Sequence, residues 1–216
     1  MERAIRATKA FLLVLLLAGS GCVVIRPVAE WRQERRNRQA QALLWEATTG
    51  SDGKPFFPNE AQASVAQLDD RIFKLSRARE LDPALTETHY WLGQYGLDRL
   101  EMPGASNAAV SAEVCMAELK TYIQQTPNDG KSYDYGTMFG MGIRTPGVLR
   151  EKAWRALITG YFRFRCLRIW APPNGPPRVE LVPADSEPAI GQYRQRCDEL
   201  VRLVSAYLRE PPKKKM

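Results

Sequence analysis

A chain of 216 residues, 44% hydrophobic and 25% charged, has room for one globular domain or a short repeat array, and its composition is neither disordered nor collagen-like. Lys and Arg number 31 against 24 Asp and Glu, a net charge of +7. The single histidine, His89, excludes multi-histidine metal centres, and Cys22, Cys115, Cys166 and Cys197 include no C-x-x-C pair, which removes zinc-ribbon, thioredoxin-type and c-haem chemistry.

The first residues carry Arg3, Arg6 and Lys9 against Glu2, and an apolar run from Ala10 to Ala18 leads into Gly19, Ser20, Gly21 and Cys22. A positive start, a short apolar stretch and small residues before a cut describe a bacterial secretory signal. The cysteine directly after the small residues resembles a lipoprotein signal peptide, with Gly19 standing where Leu is usual. That resemblance implies cleavage before Cys22 and a diacylglycerol on its thiol. Val23, in place of Asp, implies sorting to the outer membrane in enteric-type bacteria. The competing reading is an uncleaved anchor, but residues 10–25 make only about 24 Å of helix against a hydrocarbon core of about 30 Å.

Residues 27–48 are polar and helix-favouring, and 49–58 break the helix on Gly and Pro grounds. Asn59, with Gln62 three residues on, reads as the capping box of a second helix whose apolar face is Val65, Leu68, Ile72, Leu75 and Ala78. Asp82 and Pro83 stop that helix and start another over 83–100. Further helices are expected over 107–125, over the glycine-rich 131–143 and over the strongly apolar 148–170. Residues 171–188 hold Pro172, Pro173, Pro176, Pro177, Pro183 and Pro188, an extended connector with a short strand at 179–182. The last helix, 189–209, places Ile190, Tyr193, Cys197, Leu200, Val204 and Tyr207 on one face.

Counting back from Pro127, Leu119 and Cys115 occupy positions where a bulky and a small residue are wanted; Phe164 and Gly160 do so before Pro172, and Leu75 and Ala78 before Pro83. With Leu92-Gly93 and Tyr135-Gly136 upstream, these segments resemble tetratricopeptide repeats, 34-residue helix-turn-helix units in which small residues let paired helices approach. The Pro83 to Pro127 spacing of 44 departs from that period, and His89 and Gly96 replace large aromatics of the motif. A generic helical bundle is the alternative. The expected fold is all-α: stacked, tetratricopeptide-like helical hairpins over 30–172, a Pro-rich connector over 173–188 and a C-terminal capping helix over 189–209. A signal peptide (1–21), a lipidated tether (22–29) and a basic tail (210–216) complete the chain.

Sites are sparse. His89 has no nucleophile or acid within its motif and reads as structural; Asp69 with Asp70, and Glu87 with Asp98, read as solvated helix faces. Gly136, Gly140 and Gly142 lack the Lys-Ser/Thr of a phosphate loop. Neither an enzyme, a cofactor, a metal site nor nucleic-acid binding is expected. Arg32, Arg35, Arg36 and Arg38 lie soon after the lipid site and can meet anionic headgroups, although Glu30 and Glu34 between them describe an ordinary solvated helix. If a disulfide forms, Cys166 and Cys197 are the expected pair, with Cys115 a buried apolar thiol. The repeat resemblance implies a concave partner groove with Glu87, Tyr90, Gln94 and Asp98 from one helix and Tyr133, Thr137 and Met141 from the next. The functional expectation is an outer-membrane lipoprotein facing the periplasm, less favourably anchored in the inner membrane, that scaffolds an envelope protein partner. The alternative is a small-molecule-binding accessory lipoprotein of a transport system.

Overall fold

The computed structural model describes residues 28–56, 58, 62–104, 108–128, 145–170, 172, 174–176, 178–181 and 187–209. The chain divides into two compact units, Met1–Arg36 and Asn37–Met216. Helix α1, Val28–Thr48, contributes to both. It is followed by α2 (Val65–Leu81), α3 (Glu87–Leu100), α4 (Ala108–Gln125), α5 (Pro146–Tyr161), strands β1 (Leu167–Trp170) and β2 (Arg178–Leu181), and α6 (Glu187–Leu208). The helical class is as expected.

The second unit is built by neighbours in chain order: α2 packs on α3, α3 on α4 and α4 on α5, while α5 also reaches α3 and α6 covers α5. Leu68, Leu75, Tyr95, Leu119, Tyr122, Leu149 and Leu157 form its centre, each 2% exposed or less. Burying a side chain of this size contributes about 1.5–3 kcal/mol. The close pairing of α3 with α4 depends on glycine. A Cβ on Gly93 would lie 2.6 Å from Leu119 Cγ and 2.8 Å from the Cys115 carbonyl oxygen, and one on Gly96 only 2.3 Å from Cys115 Sγ.

Several boundaries differ from the sequence reading. Asn59 lies outside the described residues, and α2 begins at Val65 under a different capping box: Ser64 Oγ accepts from the Gln67 amide at 3.2 Å, and Gln67 Oε1 from the Ser64 amide at 2.9 Å. Asp82 does not start the next helix. It ends α2, and its carboxylate accepts from the Ala84 amide at 3.1 Å in a turn that delays α3 to Glu87.

The helix expected over 148–170 is shorter and begins earlier. It passes at Phe162–Cys166 into a π turn, closed by the Leu167 amide donating to the Phe162 carbonyl, and then into β1. The strand has a partner, because β2 pairs with it antiparallel, Leu167 opposite Leu181 and Trp170 opposite Arg178. Part of the proline-rich segment is therefore the far arm of a hairpin, and the expected strand over 179–182 lies one residue earlier. The expected helix over 131–143 lies outside the described residues.

Candidate functional site

The face expected to meet a partner can be followed along α3. Glu87, Tyr90, Gln94 and Asp98 recur at steps of three and four, which sets them in one row. Tyr90 is 2% exposed, its ring 4.9 Å from Trp91 and 5.7 Å from Tyr122. Its place in an open groove is corrected: an aromatic cluster between α3 and α4 takes the ring, because helices joined by glycine stand too close to leave it outside. Glu87, Gln94 and Asp98 are half-buried. Glu87 accepts from Trp91 Nε1 at 2.8 Å, and Gln94 Nε2 donates to Asp98 Oδ1 at 3.0 Å. Tyr133, Thr137 and Met141 lie outside the described residues, as does Cys22.

Electrostatics along this row follow burial. Desolvation raises the Asp98 carboxyl to about 6, the Gln94 hydrogen bond opposing it. Burial, with Asp98 second, pushes the Tyr90 hydroxyl well above its ordinary value. Burial also takes the Tyr122 hydroxyl up to about 12.

At the N-terminal end of α3 the row opens into a cleft of about 290 Å³. Leu85, Thr86 and Glu87 form one wall, and Tyr122, Thr126 and Pro146 the other. Within that second wall Tyr122 donates to the Pro146 carbonyl at 3.3 Å, and Leu149 is part of the lining. The lining combines one carboxylate, a phenol and hydroxyls with apolar walls. It can hold a small polar-apolar group.

His89 is structural in its contacts. Its Nδ1 lies 2.6 Å from Glu118 Oε2, and Arg79 donates to the other carboxylate oxygen. The three residues come from α3, α4 and α2 and join those helices with a polar clamp. Burial alone would raise the Glu118 carboxyl, but the hydrogen bonds from His89 and Arg79 outweigh it and hold the group below its ordinary range. The partners are 29 and 39 residues apart, so no local pattern announced them.

Cys166 and Cys197 are brought together. Cys166 is buried at the end of the π turn, and burial first and the neighbouring Cys197 thiol second raise its pKa; both are free thiols. Cys115 is also free, its thiol raised by burial to about 11 beside Gly96.

No group of three or more His, Cys, Asp or Glu side chains that could hold a metal occurs among the described residues, and no described helix is long and apolar enough to cross a membrane. No family model, curated protein or solved structure matches the chain.

Proposed function

We propose that this chain is an envelope-tethered lipoprotein whose stacked helices scaffold a protein partner. The observation that carries the reading is the N-terminal pattern: three basic residues, a short apolar run and small residues directly before Cys22. The chain neighbours α3 and α4, packed closely through Gly93 against Cys115 and Leu119, support the tetratricopeptide-like part of it, because such hairpins rely on small residues for close approach. With Tyr90 in the core, the partner contacts on α3 reduce to Glu87, Gln94 and Asp98, and Tyr133, Thr137 and Met141 remain part of the proposal. No catalytic role is assigned to any residue.

Intact mass of the protein extracted from membranes tests the tether. Loss of residues 1–21 with a lipid-sized increment on Cys22 is the expected result. A mass that includes Met1, or an unmodified Cys22 thiol, ends the lipoprotein reading.

The cleft beside Glu87 and Tyr122 favours a second reading, a small-molecule-binding accessory protein, since about 290 Å³ is near the lower end of ligand-pocket sizes. Native mass spectrometry of the purified protein separates the two. A protein in stoichiometric complex supports the scaffold, whereas a retained small molecule, lost in Glu87→Ala, supports the accessory role.

A further inference from the structure

The first turns of α1 sort their residues by side. At about 100° per residue, Arg38, Trp31, Arg35, Val28 and Arg32 follow one another within about 120° of arc. Glu30 and Glu34 lie about 140° and about 100° from the centre of that arc. The sequence alone interleaves acids with arginines; on the helix Glu30 and Glu34 fall outside the arc, Glu34 about 40° beyond Arg38, its i+4 neighbour, and away from Arg32 and Arg35. Val28 is 63% exposed and Trp31 53% exposed, and the Arg35 guanidinium stands over the Trp31 ring at 5.9 Å. An exposed tryptophan flanked by arginines on one side of a helix suits the boundary between headgroups and acyl chains, where the ring's apolar body and polar N–H are both accommodated.

We propose that this face of α1 docks on an anionic lipid surface, with Val28 and Trp31 entering the headgroup layer and Arg32 and Arg35 pairing with lipid phosphates. The proposal rests on the envelope-tether reading. Only residues 23–27 separate Cys22 from α1, so even a fully extended tether holds Val28 within about 20 Å of a lipid on Cys22. A polar, basic-aromatic face held that near a bilayer meets charge of the opposite sign. Arginine's planar guanidinium also makes paired hydrogen bonds to phosphate.

Protein extracted from membranes and reconstituted in vesicles tests both readings separately. Flotation with neutral phosphatidylcholine vesicles in high salt reports the tether alone, and failure to float ends that reading. Docking is read from Trp31, whose emission is the difference between the native chain and Trp31→Phe. In vesicles containing phosphatidylglycerol and brominated lipid, this emission is expected to be quenched. The ratio of docked to undocked helix should fall about five-fold in Arg32→Ala or Arg35→Ala and about 25-fold in the double variant. Lysine at both positions should retain most of the docking.

Equal Trp31 emission with and without bromine overturns the proposal. So does quenching that is the same on neutral vesicles and indifferent to the arginines, which would report apolar adsorption only. Trp31 shielded from a water-soluble quencher yet untouched by brominated lipid would place a protein on this face and also overturn it.

Discussion

Asp98 and Glu118 are carboxylates treated in opposite ways by their surroundings, and they give opposite slopes of stability against pH. Asp98 holds its proton up to about pH 6, more tightly than in an unfolded chain, so the folded state binds more protons between about pH 4 and 6. Its contribution therefore makes stability fall as pH rises through that window. Asp98→Asn keeps an acceptor for Gln94 and removes the charge. Urea unfolding should show a gain of about 2 kcal/mol at pH 7 and almost none at pH 4. A variant no more stable than the native chain at pH 7 would mean that Asp98 is better solvated than its position indicates. Glu118 carries the opposite sign. Its folded pKa is depressed, so its stabilisation is present above the unfolded value and lost as pH falls through the folded one. Glu118→Gln should cost about 1–3 kcal/mol at pH 7, with the difference closing in acid.

At the scale of elements, α3 and α4 approach through two glycines that differ in what faces them. A methyl group on Gly93 meets the backbone oxygen of Cys115, which cannot yield unless the helices separate, whereas on Gly96 it meets only the Cys115 side chain. Gly93→Ala should destabilise by about 1–3 kcal/mol despite alanine's better helix propensity, and Gly96→Ala by less. Equal melting temperatures for the two variants would count against this packing. Tyr90→Ala belongs to the same interface and should cost about 3–5 kcal/mol, read by chemical denaturation. Gly93 was legible because Gly93, Cys115 and Leu119 stand where close-packed hairpins want small and bulky residues; Gly96 was not, since it stands where the repeat motif has a large aromatic. The side to which Tyr90 turns was not, since a row at steps of three and four is the same whether it faces a groove or the core. Other misses have local causes. Ser64-x-x-Gln67 before an apolar run was a capping box in plain view, five residues after Asn59. The end of α5 was hidden because its apolar stripe continues through Phe164 and Leu167, and only pairing with β2 diverts the chain into a strand.

Across the whole second unit, the π turn and α6 are the places where distant chain segments could be locked. Cys166 and Cys197 stand within reach of one another, and their bond would close a loop of roughly 30 residues, worth about 3–4 kcal/mol of stabilisation in the chain-entropy view. Treatment with oxidised glutathione followed by non-reducing peptide mapping should yield the Cys166–Cys197 peptide. Recovery of Cys115 in a disulfide would contradict its seat against Gly96. The proximity of the two thiols was readable in part: the two cysteines fall on the last segments before and after a proline-rich connector. The cross-links Tyr161 to Glu199 and Tyr207 to Glu151, which set α6 on α5, were not, because each joins residues 38 or more apart.

Arg71 and Arg150 give the assembly a direction in time. Arg71 of α2 donates to the Ala47 and Thr49 carbonyls at the end of α1 and lies 3.5 Å over the Phe56 ring. Arg150 of α5 does the same for α4, donating to the Ile123 carbonyl and to that of Thr126 at 2.7 Å. In both cases the open carbonyls of one helix are satisfied by an arginine from the next described helix in the chain. A ribosome or translocase delivers the chain N-terminus first, so α1 and α4 each remain open-ended until about 20–25 more residues have emerged, about one second of synthesis at the fast end of the usual rate and about four to five seconds at the slow end. These two helices are thus finished by the helix that follows, and a chain arrested between residues 49 and 70 would hold α1 with its last turn frayed.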